Sequence, residues 1–225
     1  MKEFIKKYYK NIILLFAGTI IIGIAAAFYV VSGIGSNSIT TFCLGISRLL
    51  TKILKVEVSS GVGLMVGNGL FAIILLIFAR KYLNFGTILA IFLIGPICNL
   101  LLYLNILKAL DTLFIKIIYS VIATIISGIG VVLIIKAQIG VSPFDGVSLL
   151  IHDKLPKINY SIIRIIYDAL LFLAGFLMGE VVGIGSVIAV VFTGPLIYLF
   201  SKLYDLIMSK KKNKIDDNDN ISIEE

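Results

Sequence analysis

The chain has no tryptophan, one histidine, two cysteines and four prolines among its 225 residues, and only 15% of those residues are charged. Each scarcity removes a class of protein. Cys43 and Cys98 lie far apart, without C-x-x-C spacing and without clustered histidines, so the sequence encodes neither a metal site nor a redox pair. Both cysteines read as small apolar packing residues. No nucleophile and base set, nucleotide loop or cofactor motif is visible, so the chain is not read as an enzyme. So few charges also argue against a soluble globular domain. In the absence of tryptophan, the aromatic belt at a membrane surface falls to Tyr8, Tyr9, Tyr82, Tyr103, Tyr160 and Tyr204.

What the chain has is apolar length: 59% of its residues are hydrophobic, and the mean hydropathy is +1.07. A membrane-spanning helix needs about 20 such residues. Six stretches qualify, near 12–31, 62–79, 85–104, 114–135, 161–178 and 182–203. Residues 1–11 are basic and precede the first stretch, as in a signal peptide, but that stretch outruns a signal core of ~7–15 residues and part of it recurs later. It is expected to be the first span.

The recurrence is specific. Thr19-Ile20-Ile21-Ile22-Gly23-Ile24 matches Thr124-Ile125-Ile126-Ser127-Gly128-Ile129 at five of six positions, and the same register sets Ile34-Gly35 over Ile139-Gly140. Phe85-Gly86-Thr87-Ile88 with Gly95-Pro96 lies over Ile184-Gly185-Ser186-Val187 with Gly194-Pro195. The chain therefore reads as a tandem duplication, with one membrane unit over 12–106 and a second over 113–206. Each unit has a span, a glycine-marked break, a short amphipathic helix and two further spans. Three spans are an odd number, so the second unit must enter from the opposite side. The expected fold is all-α and polytopic, with six transmembrane helices in two inverted three-helix repeats, each carrying a short re-entrant or interfacial helix.

The net charge of +7 sits in lysines just outside the spans, which points to membrane topology and not to a nucleic-acid partner. With both termini cytoplasmic, the inner side holds Lys2, Lys6, Lys7, Lys10, Arg80, Lys81, Lys136, Lys154, Lys157 and the lysines of 202–214. The outer side holds Arg48, Lys52, Lys55 and Lys108. Residues 207–225 turn charged and asparagine-rich and are expected to be a disordered cytoplasmic tail.

Gly140-Val141-Ser142-Pro143-Phe144-Asp145-Gly146, then Arg164 and Asp168, then Gly183-Ile184-Gly185-Ser186 and Gly194-Pro195 form an ordered set over nearly the whole spanning region. This set resembles the YczE/YyaS/YitT family of bacterial membrane proteins, the YczE branch in particular. The resemblance implies a multi-pass protein of the bacterial cytoplasmic (inner) membrane and implies no activity. Ser36-Asn37-Ser38 departs from it, standing where an acidic residue followed by proline is common in that family.

The breaks at Gly35 and Gly140 relax the backbone. Ser142, Pro143 and Asp145 then form a capping-box pattern that starts a helix near 143–155, and Ser38 starts its counterpart near 38–54. Such half-helix ends inside a membrane can hold anions or polar solutes, or can simply brace the bundle. Asp145 is explained by capping as well as by binding. Asp168 lies well inside the fifth span, where an ionised carboxylate is costly, so it is a functional candidate; Arg164, one turn earlier, can pair with it. Asn68 aligns with Asp168 in the second span and fits either a helix contact beside Gly63 and Gly67 or a ligand. Pro96 and Pro195 lie inside spans and should kink them. His152 belongs to the polar face of the second short helix.

The substrate-binding candidates are thus Asp168, Asn68, Asp145, Ser142, Ser38 and Arg164, expected around one central pocket; the structural ones are Gly35, Gly140, Pro143, Pro96 and Pro195. No cofactor or metal is expected. The partners are the lipid bilayer and a small polar or ionic solute, and pairing into a homodimer is left open. The favoured function is transport or conduction of that solute through a site between the repeats; the alternative is a scaffold or accessory protein that transports nothing.

Overall fold

The computed structural model describes residues 2–107, 112–139 and 142–221. Gly140 and Lys108, each given a role above, lie outside the described residues. The described chain is helical throughout: α1 (Lys2–Ser32), α2 (Ser38–Leu54), α3 (Ser60–Phe78), α4 (Phe85–Tyr103), α5 (Leu113–Ala137), α6 (Pro143–Lys154), α7 (Tyr160–Leu177) and α8 (Ile184–Ile221). Five segments are long and apolar enough to cross a bilayer: Tyr9–Ser32, Ser60–Phe78, Gly86–Tyr103, Leu113–Ala137 and Ile184–Ser209. The protein is therefore a multi-pass membrane protein. The helix that carries Arg164 and Asp168, α7, has 18 residues, a length of about 27 Å.

Large apolar side chains cover the outside, and small or hydroxylated ones are buried beside core residues such as Leu15, Phe71, Leu75 and Phe144. Ile73, Leu76, Ile77, Phe78, Leu170, Leu173 and Phe176 are exposed, whereas Thr19, Ser32, Thr41, Ser120, Thr124 and Ser148 are buried. In lipid the apolar residues lose nothing by facing out, and close backbone approach becomes the main source of helix contact. Gly18 and Gly130 meet across α1 and α5 in this way, and a Cβ on Gly18 would stand 2.8 Å from the Gly130 carbonyl oxygen.

α1 and α5 form the central pair; α4 packs on α1 and α8 on α5. Each short helix packs on a helix from the other half of the chain, α2 on α7 and α6 on α3. A backbone bond joins the halves as well, since the Gly185 N–H at the start of α8 donates to the Ile34 carbonyl in the α1–α2 break (2.9 Å). Gly33 and Gly35 take φ of +63° and +104° there. Side chains larger than hydrogen are strained in this region, and a Cβ on Gly35 would also collide with Ser186.

Three sequence expectations change. α2, the first of the short helices expected to be amphipathic, carries its apolar stripe at 39, 42, 46, 49 and 53, but that stripe is only partly its buried side: Leu49 and Ile53 are exposed, while Ile46 is buried together with Ser38, Thr40, Thr41, Cys43, Leu44, Gly45 and Ser47. Here small residues share the protein contact with Leu44 and Ile46, while the large ones at 49 and 53 face outward. α8 runs to Ile221, into residues expected to lack regular structure; a helix once nucleated adds residues at little cost. His152 is half-buried and not fully on a solvated face: its Nδ1 is buried without a hydrogen-bond partner and its ring lies 5.7 Å from that of Tyr160. Both α4 and α8 continue through Pro96 and Pro195.

Candidate functional site: a five-residue polar chain

Both short helices begin with a side-chain cap. Asn37 Oδ1 accepts from the Thr40 N–H (2.9 Å), and Ser142 Oγ accepts from the Asp145 N–H (3.2 Å). Pro143 occupies the first turn of α6, where its missing N–H costs nothing. Asn37 and Ser142 are related by the same register that overlays Ile34-Gly35 on Ile139-Gly140. The capping chemistry of the two breaks is therefore alike.

Between these helix starts runs one hydrogen-bonded chain. Ser38 Oγ donates to Asp168 Oδ1 (2.7 Å), and Arg164 Nε donates to Asp168 Oδ2 (3.1 Å). Arg164 Nη1 donates to Asp145 Oδ1 (2.5 Å), and Ser142 Oγ donates to Asp145 Oδ2 (2.7 Å). Five of the six candidate binding residues thus meet, in the order Ser38, Asp168, Arg164, Asp145, Ser142. The expected pair of Arg164 and Asp168 forms and is extended by Asp145. Side-chain exposures of 29% for Arg164, 31% for Asp168 and 33% for Asp145 place the cluster neither in bulk water nor in a dry core. Two carboxylates against one guanidinium leave one negative charge, beside two helix N-termini whose backbone dipoles favour it.

Asn68 does not join. Its Nδ2 donates to the Leu64 carbonyl (2.8 Å) and its Oδ1 is buried without a partner. One turn further along α3, Phe71 meets Tyr167 of α7 with ring centroids 6.2 Å apart. Phe42 and Phe144 complete this cluster, one ring from each of α2, α3, α6 and α7, with Phe71 and Phe144 at 4.2 Å. The single central pocket expected to contain both Asn68 and Asp168 is thus replaced by a charged chain and a separate aromatic cluster. The Tyr167 hydroxyl, next to Asp168 in sequence, is also buried without a partner.

Two further charged clusters were not singled out from the sequence. Arg48 Nε donates to Glu180 Oε2 (2.9 Å), tying α2 to the α7–α8 turn beside a cavity of about 360 Å³. At the opposite end of α7 and α3, Lys81 pairs with Asp153 (2.5 Å) and the Tyr82 hydroxyl donates to the same carboxylate oxygen (2.6 Å). The Lys81 ammonium holds the Asp153 carboxyl below the usual range, and Asp153 in turn raises Lys81. The signal available in the sequence was slight: Glu180 is an acid that follows a glycine between two apolar runs. Among the described residues, no three His, Cys, Asp or Glu side chains gather as a metal-holding group.

Comparison with known proteins places the chain. Residues 9–202 match the family of unknown function DUF6198, and the chain belongs to that family. It is similar to an uncharacterized protein of Haemophilus influenzae, 27% identical over 193 residues that cover 85% of this chain and 84% of that protein. No solved structure matches.

Proposed function

We propose that this DUF6198 protein carries a small polar or ionic solute across the bacterial cytoplasmic membrane, through a site centred on Arg164, and that it is not an enzyme. The observation behind this reading is the chain from Ser38 to Ser142, which links the starts of both broken helices through an ion triplet on α7. Ionisable side chains at membrane depth are costly and are kept where they serve a polar path. The partnerless Asn68 Oδ1 and Tyr167 hydroxyl add support, since buried polar groups without partners cost about 1–3 kcal/mol each and call for water or a solute.

The same reading counts α7 as a sixth crossing and the two halves as inverted three-span units with both termini cytoplasmic. The length of α7, about 27 Å, suits a hydrocarbon core of about 30 Å. The ion pairs support opposite directions for the second spans. α3 starts near Ser47, whose hydroxyl donates to the Val58 carbonyl, and ends near Lys81; α7 starts near Asp153, the partner of Lys81, and ends near Glu180. Kinship with YczE-like proteins, suggested by the ordered motifs, belongs to this reading too.

The aromatic cluster favours a second reading, a packed scaffold that transports nothing. Flux separates the two. Purified protein in proteoliposomes, offered a panel of labelled ions, amines, amino acids and organic acids, should pass at least one, and Asp168→Asn should abolish that flux while leaving the protein folded. Silence across the panel, with a loss of thermal stability in Asp168→Asn, would favour the scaffold.

A further inference from the structure

The cavity beside Arg48 lies apart from the Arg164 cluster, and its walls come from both halves of the chain. Tyr29 enters from α1, Ser36 from the α1–α2 break, Ser47, Arg48 and Thr51 from α2, and Glu180 from the α7–α8 turn. Its volume of about 360 Å³ falls within the range of small-molecule sites, roughly 300–1,000 Å³.

The turn explains why an acid sits in this wall. α7 ends with the Glu180 N–H donating to the Gly175 carbonyl (3.0 Å) and the Gly179 N–H to the Phe176 carbonyl (2.9 Å), with Gly179 at φ +96°. This is a Schellman closure with glycine in its left-handed position, and it fixes the next residue against the bundle. The Glu180 side chain is only 10% exposed. Among the described residues its one polar partner is Arg48 Nε, through a single bond. A carboxylate this buried needs a counter-charge.

Arg48 supplies that charge but is not bound to it by burial. Its side chain is 57% exposed and flexible enough to extend into water, where Glu180 cannot follow. The cation at Glu180 is therefore the exchangeable partner. The remaining wall favours a positive visitor. Glu57 adds a second carboxylate to the lining. Ser47 donates its proton to the Val58 and Ser59 carbonyls; Thr51 donates to the Ser47 carbonyl and accepts from the Val58 N–H, which leaves it one lone pair. These hydroxyls keep lone pairs, so towards a ligand they accept. Ser47, Arg48 and Thr51 also belong to the last two turns of α2, the negative end of its dipole.

We infer that this cavity binds a small ammonium-type cation, with Glu180 as its counter-charge and Arg48 as the resident cation it displaces. Binding breaks the link between α2 and the α7–α8 turn, so occupancy and the joining of the two halves at this end are coupled. The inference names the solute class for the proposed pathway and rests on that reading only for the site's role in it, because binding is measured without transport.

The test is thermal stabilisation of the full chain in detergent, titrated with ethylammonium chloride against sodium chloride and sodium acetate at equal ionic strength. Wild type should show saturable stabilisation by ethylammonium alone. Arg48→Gln, which removes the competing cation from an exposed position, should bind about tenfold more tightly; Glu180→Gln should lose saturable binding, and Asp168→Asn should keep it. Stabilisation by acetate that Arg48→Gln abolishes would overturn the inference, as would identical ethylammonium curves for wild type and Arg48→Gln. Binding that follows the expected pattern without flux in proteoliposomes would uphold the site and sink the pathway.

Discussion

The two Gly-Pro helices, α4 and α8, share a motif and pack differently. In the first half, α4 lies along α3, with Gly61 and Gly95 so close that a methyl group on either would strike the carbonyl oxygen of the other. Asn99 completes this seam by accepting from the Gly61 N–H (2.8 Å) and donating to Ser59 Oγ (2.9 Å). In the second half, α7 lies against α2 and α6 while α8 lies against α5, and α7 and α8 make no extended contact. Gly194, the counterpart of Gly95, has nothing within 4 Å of where a Cβ would stand, and Tyr198, at the place of Asn99, is 72% exposed. The sealed half is neutral, with Leu64 and Asn68 on α3; the parted half carries Arg164 and Asp168 on α7. The contrast shows what charge does to helix packing. Ionised side chains one third exposed are far cheaper than the same groups in a closed seam, so the helix that bears them packs beside polar helix starts and leaves its hairpin partner to lipid.

This contrast can be tested from both sides. Arg164→Ala should cost most, on the order of 2–3 kcal/mol given the partial exposure, because it leaves Asp145 and Asp168 without their shared cation. Asp168→Ala should cost less, since Arg164 keeps Asp145. Denaturation of both variants in detergent gives the order, and a reversal would mean that Asp168 is anchored by more than Arg164 and Ser38. Next comes the seam itself: Gly95→Ala should lose about 1–3 kcal/mol through overpacking, whereas Gly194→Ala should be neutral or slightly stabilising because alanine is the better helix former. Equal losses at the two glycines would show that the second half closes in the membrane.

A smaller effect is expected at Asn68, where Asn68→Leu should change stability by less than about 1 kcal/mol, because the apolar replacement removes an orphaned acceptor along with one hydrogen bond; Asp168→Leu should be markedly worse by the same measurement. The smallest concerns Asp153. Its depressed carboxyl contributes above the ordinary carboxylate range and loses that contribution as pH falls through the lowered value, while the raised Lys81 sets the opposite limit in strong alkali. A stability profile of Asp153→Asn should therefore run just below wild type at neutral pH and meet it in acid.

Much of this was legible in the sequence because it is local. Caps, glycine breaks and apolar length lie within a few neighbouring residues, so the bounds of α2 and α6 and the pair of Arg164 with Asp168 follow from spacing alone. Long-range partners depend on how each helix is rotated about its axis, and a lipid-exposed helix has no strong amphipathic pattern to fix that rotation. Thus Arg48 reaching Glu180 was hidden, Ser38 and Asp168 were expected at one pocket but without the direct bond that joins them, and Asn68, matched to Asp168 by alignment, turned out to bond within its own helix. Leu49 and Ile53 misled for the same reason, since an apolar stripe marks the core only when the surroundings are water.

The backbone bond from Gly185 to Ile34 has a consequence for biosynthesis. The acceptor belongs to the first break in the chain and the donor to the start of the last helix, so the break stays unfinished until nearly the whole polypeptide has been made. At about 5–20 residues per second, that interval lasts roughly 8–30 s. For most of that interval α2 has α3 but not α7 to pack against, and Ser38 has no carboxylate to hold. A nascent chain stalled before residue 185 should thus be a protease-sensitive intermediate, held by the insertion machinery and not by its own contacts.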